Sequence, residues 1–129
     1  MAHNNKPSVL LVDDDGMLRE MLGLILLGEH YRVIGDAANG REAVAQFIKL
    51  QPDLVLLDIH MPEMDGLHAL EAIRRIKPDA MVMMMSAEAT MDKVAEAIKL
   101  GAAGFVVKPF NAASVLDRVE SCLKSRGWS

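Results

Sequence analysis

Two stretches decide how this chain reads: Val9-Leu10-Leu11-Val12-Asp13-Asp14-Asp15 and Leu54-Val55-Leu56-Leu57-Asp58. Each is a short apolar run, rich in Val and Leu, that ends abruptly in carboxylates. Runs of this length, bounded by turn-forming residues, predict fully buried strands of a parallel sheet. Sheets of that kind bind ligands beyond the carboxyl ends of their strands. Several carboxylates gathered there repel one another unless a cation intervenes, so the two stretches together predict a hard-metal site.

Outward from these runs, strand-like and helix-period segments alternate five times. The expected strands are Val9–Val12, Arg32–Asp36, Leu54–Leu57, Met81–Met85 and Gly104–Val107. The expected helices are Met17–Leu27, Arg41–Leu50, Leu67–Ile76, Asp92–Leu100 and Ala112–Lys124. Asn39, followed three residues later by Glu42, nearly forms a capping box. Asp65, Thr90 and Asn111 are expected N-caps for the later helices. Gly28 and Gly101 fall where helix C-caps belong, and Pro52 and Pro78 follow helices they cannot continue. Leu67, Leu70, Ile73 and Ile76 predict a buried stripe on the third helix. Strict alternation with short connections implies parallel strands joined by right-handed crossovers. The expected fold is therefore α/β, a flavodoxin-like (βα)5 sheet in the order 2-1-3-4-5 with helices on both faces. Residues 8–125 would form the domain, between tails at 1–7 and 126–129.

The composition narrows the function classes. A chain of 129 residues, 51% hydrophobic, supports one core without disulfide or metal staples. The single cysteine, Cys122, rules out an internal disulfide and suits a reducing compartment. It lies on the stripe Val115, Leu116, Val119, Cys122 and Leu123, and reads as core filler. Formal charge is −4, and setting Asp13, Asp14 and Asp58 aside in one site leaves acids and bases nearly balanced. With no basic stripe, one Trp and one Tyr, no nucleic-acid surface is expected. The most apolar stretch, Met21 to Leu27, is too short to span a bilayer and no signal peptide is visible, so a cytoplasmic location is expected. The run Met81-Val82-Met83-Met84-Met85 supplies thioethers, which suit soft metals. A strand sends alternate side chains to opposite faces, so these methionines read as core packing.

In the expected order, strands one and three are neighbours at the topological switch point, which brings Asp13 and Asp14 to Asp58. Such a set suits Mg²⁺, which takes octahedral oxygen ligands and keeps several waters. The plainer reading of Asp13–Asp15 is a cap on the first helix, where negative charge is favourable; Asp58 at a second strand end favours the metal. Ser86 follows the fourth strand and Lys108 the fifth, so both arrive in the same layer. Pro109 makes the Lys-Pro bond a candidate cis peptide. Carboxylate nucleophile, Mg²⁺, hydroxyl and ammonium are the components of phosphoryl transfer to an aspartate. A nucleotide site fits poorly, because neither G-x-G-x-x-G nor a Walker loop is present.

From LLVDDD through LVLLDIHMPEMDG and MMMSAEA to AAGFVVKPF, the chain resembles the receiver domain of bacterial two-component response regulators. The resemblance covers essentially the whole chain. It implies an Mg²⁺-dependent switch phosphorylated by a sensor histidine kinase or a histidine phosphotransfer protein, or by small phosphodonors. By position, Asp58 matches the phosphoacceptor, Asp13 and Asp14 the acidic metal pair, and the His60 backbone carbonyl a further metal ligand. Ser86 matches the switch hydroxyl, Phe105 the switch aromatic and Lys108 the invariant lysine. Asp15 is left as a loop acid or helix cap, and the His60 ring as a partly exposed loop side chain. The resemblance further implies that Ser86 moves toward the phosphoryl group, Phe105 turns inward, and the face of the fourth helix, fifth strand and fifth helix signals to a downstream protein. Gly16 stands where proline is frequent, and Phe105 lacks the hydroxyl of the frequent tyrosine. No enzymatic activity beyond the chain's own phosphorylation and dephosphorylation is expected. The alternatives are an aspartyl-phosphate-type phosphatase, which wants an acid where His60 stands, and a phosphorylation-independent pseudo-receiver, which predicts an eroded site.

Overall fold

The computed structural model describes residues 6–128, so residues 1–5 of the expected N-terminal tail and residue 129 lie outside the described residues. The elements are β1 (Ser8–Val12), α1 (Gly16–Leu27), β2 (Arg32–Ala37), α2 (Gly40–Leu50), β3 (Leu54–Asp58), α3 (Gly66–Ile76), β4 (Val82–Ser86), α4 (Met91–Lys99), β5 (Gly104–Val107) and α5 (Ala112–Lys124). The strands are parallel, as the alternation requires, and lie in the expected order β2-β1-β3-β4-β5. Boundaries differ from the sequence reading by about one residue. The differences matter at Asp58 and Ser86, which are the last residues of β3 and β4 and so take their positions from the sheet itself.

The three central strands are buried along their whole length, whereas the edge strands β2 and β5 are partly exposed. Alternation divides the core into two layers. Leu10, Val12, Val55, Leu57, Val82 and Met84 face α2, α3 and α4 through Phe47, Leu70, Ile73 and Ala97. Val9, Leu11, Leu54, Leu56, Met83 and Met85 face α1 and α5 through Leu22, Leu26, Val115 and Val119. The methionine run is thus split between the layers, and each fully buried side chain of this size contributes about 1.5–3 kcal/mol. Cys122 is buried in the second layer.

The expected stripe on α3 holds only in part. Leu70 and Ile73 are fully buried, but Ile76 is 47% exposed and Ala69 is buried instead. Steps of three residues fall short of a 3.6-residue turn, so over three steps the stripe rotates to the far side of the helix.

Side chains satisfy the helix N-termini as expected: Asn39, Asp65, Thr90 and Asn111 each accept a first-turn N–H. Glu42 reaches back to the Ala38 N–H at 3.0 Å, one residue short of a capping box, while Asn111 and Ser114 complete one on α5. Gly28 is the C-cap of α1, and Gly101, at φ 99°, follows the C-cap Leu100 of α4. Residues 126–128, expected as tail, fold back: Trp128 donates its backbone N–H to Leu123 O at 3.1 Å and packs on the α1/α5 layer. Among the described residues no helix is long and apolar enough to cross a membrane.

Candidate metal and phosphoacceptor site

Pairing of β1 with β3 (Val12 beside Leu57) carries the residues after both strands to one rim of the sheet. Asp13, Asp14 and Asp58 each bring a carboxylate oxygen there, all within 4.8 Å of one another. Asp13 and Asp58 are buried, whereas Asp14 is exposed. The turn that aims them is tied down: the Asp13 N–H donates to Ala37 O at 3.1 Å and the Asp15 N–H to Asp13 Oδ1 at 2.9 Å. Asp15 itself turns away and caps α1, accepting from the N–H groups of Met17 and Leu18 at 3.0 and 3.3 Å. The two readings of the triplet therefore apply to different residues.

Lys108 leaves the end of β5 and enters the cluster. Its Nζ lies 2.6 Å from Asp13 Oδ2 and 3.3 Å from Asp58 Oδ1. Burial disfavours its charge, but the two carboxylates outweigh that cost and raise its pKa. Asp58 shows the opposite imbalance. Its pKa is pushed up to about 6, first by burial, then by Asp13, with Asp14 adding, while Lys108 only partly compensates. The rim still holds surplus negative charge. Hard carboxylate oxygens, one side open to water at Asp14, and that surplus together fit a small divalent cation such as Mg²⁺.

Ser86 is fully buried at the end of β4, and its Oγ accepts the Glu88 N–H at 3.0 Å and donates to Glu88 O at 3.1 Å. The Lys108 N–H donates to Ser86 O at 2.8 Å, so the serine and the lysine are joined through the backbone. The Lys108-Pro109 bond is cis, as the sequence suggested. Phe105 is partly buried against the α2/α3/α4 layer and borders a pocket of about 300 Å³ with Pro109, Phe110, Asn111 and Arg118. The His60 ring lies apart from the carboxylates, half-exposed, with Nε2 3.0 Å from Glu88 Oε1.

Three contributions escape sequence reasoning. Glu88 pairs with His60 across two loops, and Arg19 donates to the backbone of Asp13 at 2.5 Å. Glu88 lies within the stretch MMMSAEA and Arg19 four residues past the aspartate triplet, but no spacing along the chain pairs either with its partner. Gly66 was visible in MDG without its reason: an added Cβ would land on the Asp58 carbonyl oxygen, and the Gly66 N–H donates to Ile59 O at 2.7 Å. Only a residue without a side chain lets α3 start this close to the end of β3.

Five parallel strands in the 2-1-3-4-5 order, with this carboxylate–lysine cluster at the switch point, define a receiver-type fold. The family model for the response regulator receiver domain matches residues 9–120, and the chain belongs to that family. Within it, the chain is 44% identical to the chemotaxis protein CheY of Thermotoga maritima over 90% of this chain and 97% of that protein. It is 42% identical to CheY of Bacillus subtilis, over 95% and 99%. CheY from Borrelia burgdorferi, solved in a CheX-CheY-BeF3-Mg complex, superposes with a TM-score of 0.90 at 37% identity, covering 92% of this chain and 90% of that one.

Proposed function

We propose that this receiver is a phosphate-accepting switch in which Asp58 takes a phosphoryl group from the phosphohistidine of a sensor histidine kinase or histidine phosphotransfer protein. The observation that carries the reading is the convergence of Asp13, Asp14 and Asp58 with Lys108 on two of the three carboxylates. A lone buried carboxylate beside two acids repels a phosphoryl group; one flanked by an ammonium and a cation site receives it. An Asp58 carboxylate oxygen forms the P–O bond as the donor's P–N bond breaks. The imidazole nitrogen keeps the electron pair and is reprotonated from water. Asp13, Asp14, Asp58 and the His60 backbone carbonyl would hold Mg²⁺, which supplies charge neutralisation on the phosphoryl oxygens when bound. Lys108 offers a second positive charge, and Ser86 a neutral hydrogen-bond donor.

The rest of the chain fits a switch and not a turnover enzyme. Its chemistry ends with gaining and losing the phosphoryl group, and the face of α4, β5 and α5 carries the signal to a protein target. An apolar groove beside Lys108, lined by Leu18, Met21, Ala87 and Phe110, adjoins exposed Met17 and Leu24 of α1 through Met21 and forms a rim for the phosphodonor to cover. His60 stands where an aspartyl-phosphate phosphatase wants its second acid, and the intact site argues against a pseudo-receiver. We place the switch in the cytoplasm, where the kinase's phosphohistidine is available.

The test is incubation with Mg²⁺ and acetyl phosphate. One hydroxylamine-sensitive acyl phosphate is expected on Asp58, and Asp58→Asn abolishes it. Stoichiometric labelling that survives the substitution sinks the assignment.

A further inference from the structure

One short stretch from the end of β2 to the start of α2, residues 36–40, contributes nothing to the carboxylate cluster yet reaches the loops on either side of it. Asp36 Oδ2 accepts Arg19 Nε–H at 3.1 Å, and the same guanidinium donates through Nη1 to the Asp13 carbonyl at 2.5 Å. Ala37 O accepts the Asp13 N–H at 3.1 Å. On the other side, the Gly40 N–H donates to Met64 O at 3.0 Å, so close that an added Cβ would land on that oxygen. Met64 belongs to the loop that begins at Ile59 and carries the His60 carbonyl. Within that loop the Met64 N–H donates to Pro62 O at 2.8 Å and the Gly66 N–H to Ile59 O at 2.7 Å, and the His60 ring pairs outward with Glu88. The stretch is itself held by α2: Glu42 accepts the Ala38 N–H at 3.0 Å and donates its own N–H to Asn39 Oδ1 at 2.8 Å.

We infer that residues 36–40, with Arg19, form a brace that sets the distance between the acidic turn after β1 and the loop after β3, and thereby the affinity of the metal site. Rigid spacing matters because Mg²⁺ demands near-ideal octahedral geometry, and supports outside the ligand set govern how well ligands meet it. Arg19 and Gly40 are positioning residues. The inference rests on the reading that Asp13, Asp14 and the His60 carbonyl hold Mg²⁺.

The test is Mg²⁺ titration of the full chain by calorimetry, for the wild type, Arg19→Lys, Asp36→Asn and Gly40→Ala, with melting temperatures in chelator alongside. Lysine is a single point charge and cannot span Asp36 and the Asp13 carbonyl as the planar fork does. Each variant is expected to bind Mg²⁺ about tenfold more weakly. Arg19→Lys combined with Asp36→Asn is expected to lose no more than the weaker single variant, because both cut one link. Gly40→Ala acts through the other link and its loss adds. In the metal-free variants, the amide resonances of Asp14 (Arg19→Lys) and His60 (Gly40→Ala) shift while those of α5 stay. Should Gly40→Ala fail to fold, Arg19→Lys decides the matter. Folded variants whose Mg²⁺ affinity stays within about twofold of the wild type overturn the brace alone. A wild type that binds no Mg²⁺ overturns the metal reading and the brace with it.

Discussion

At the scale of single residues, the aspartate triplet is a division of labour. Asp13 and Asp14 face the site, while Asp15 accepts two N–H groups at the start of α1. Asp15→Ala should cost about 1 kcal/mol of stability, as loss of an N-cap does, and leave Mg²⁺ affinity nearly intact. Asp14→Ala should do the reverse, since its exposed carboxylate caps nothing. Thermal melts in chelator, paired with Mg²⁺ titrations, separate the two; matching profiles refute the division. Asp58 gives the pH dependence. Its pKa is about 6 in the fold against 3.8 as the ordinary value. Between these values the folded protein holds a proton that the unfolded chain has lost. Stability therefore falls as pH rises through that window, and the loss is complete above it. Each pKa step is worth about 1.4 kcal/mol, which sets a ceiling near ~3 kcal/mol. Asp58→Asn should raise the melting temperature in chelator at pH 7 by several degrees and flatten this pH dependence. An unchanged melt at pH 7 contradicts the strained carboxylate.

At the scale of elements, the site is a set of strand ends and helix starts. Asp58 and Ser86 terminate β3 and β4, and Lys108 follows β5, so the sheet's register sets their spacing. The start of α1 shows what local chemistry leaves unused. Gly16 is the first helical residue, where proline is favoured because its N–H has no helical partner and its φ is already set. Proline also demands extended backbone before it, and Asp15 already has φ −89° and ψ 107°. Gly16→Pro should therefore stabilise the protein by about 0.4–1 kcal/mol through the unfolded state. Chemical denaturation of the variant measures it, and a loss of stability shows that the turn needs the glycine.

At the scale of the whole molecule, signalling requires a two-state element that phosphorylation biases by the difference in its contacts. Reversal from 1:99 to 99:1 needs about 5.5 kcal/mol. A charge-assisted bond from Ser86 contributes roughly 1.5–3 kcal/mol. Ser86 must first release the Glu88 carbonyl, to which it donates at 3.1 Å, so its net share is smaller still. In the proposed switch, Lys108 and partner binding supply the remainder. Phosphorylated protein alone should keep sampling the inactive state, and Ser86→Ala should accept phosphate yet couple it poorly to the distal face. NMR with a phosphate mimic should show exchange at Phe105 and along residues 91–99. Shifts confined to the surroundings of Asp58 defeat this route of output.

What the sequence determined by itself follows from patterns that are local in the chain. Apolar runs ending in Asp13 and Asp58, the β–α alternation and the capping residues each act within a few positions, and they were enough for a parallel sheet with helices on both faces and for the carboxylates Asp13, Asp14 and Asp58. Ile76 shows the limit of that reading, because period three and period 3.6 separate over a helix of this length. Only the tertiary structure decided which carboxylate Lys108 holds, where the Ser86 hydroxyl donates, that His60 pairs with Glu88, and that Arg19 of α1 and Gly40 of α2 support the site. These contacts join segments that are brought together only when the sheet assembles. Their geometry depends on register and on the angle at which each helix leaves its strand, and no spacing along the chain encodes either.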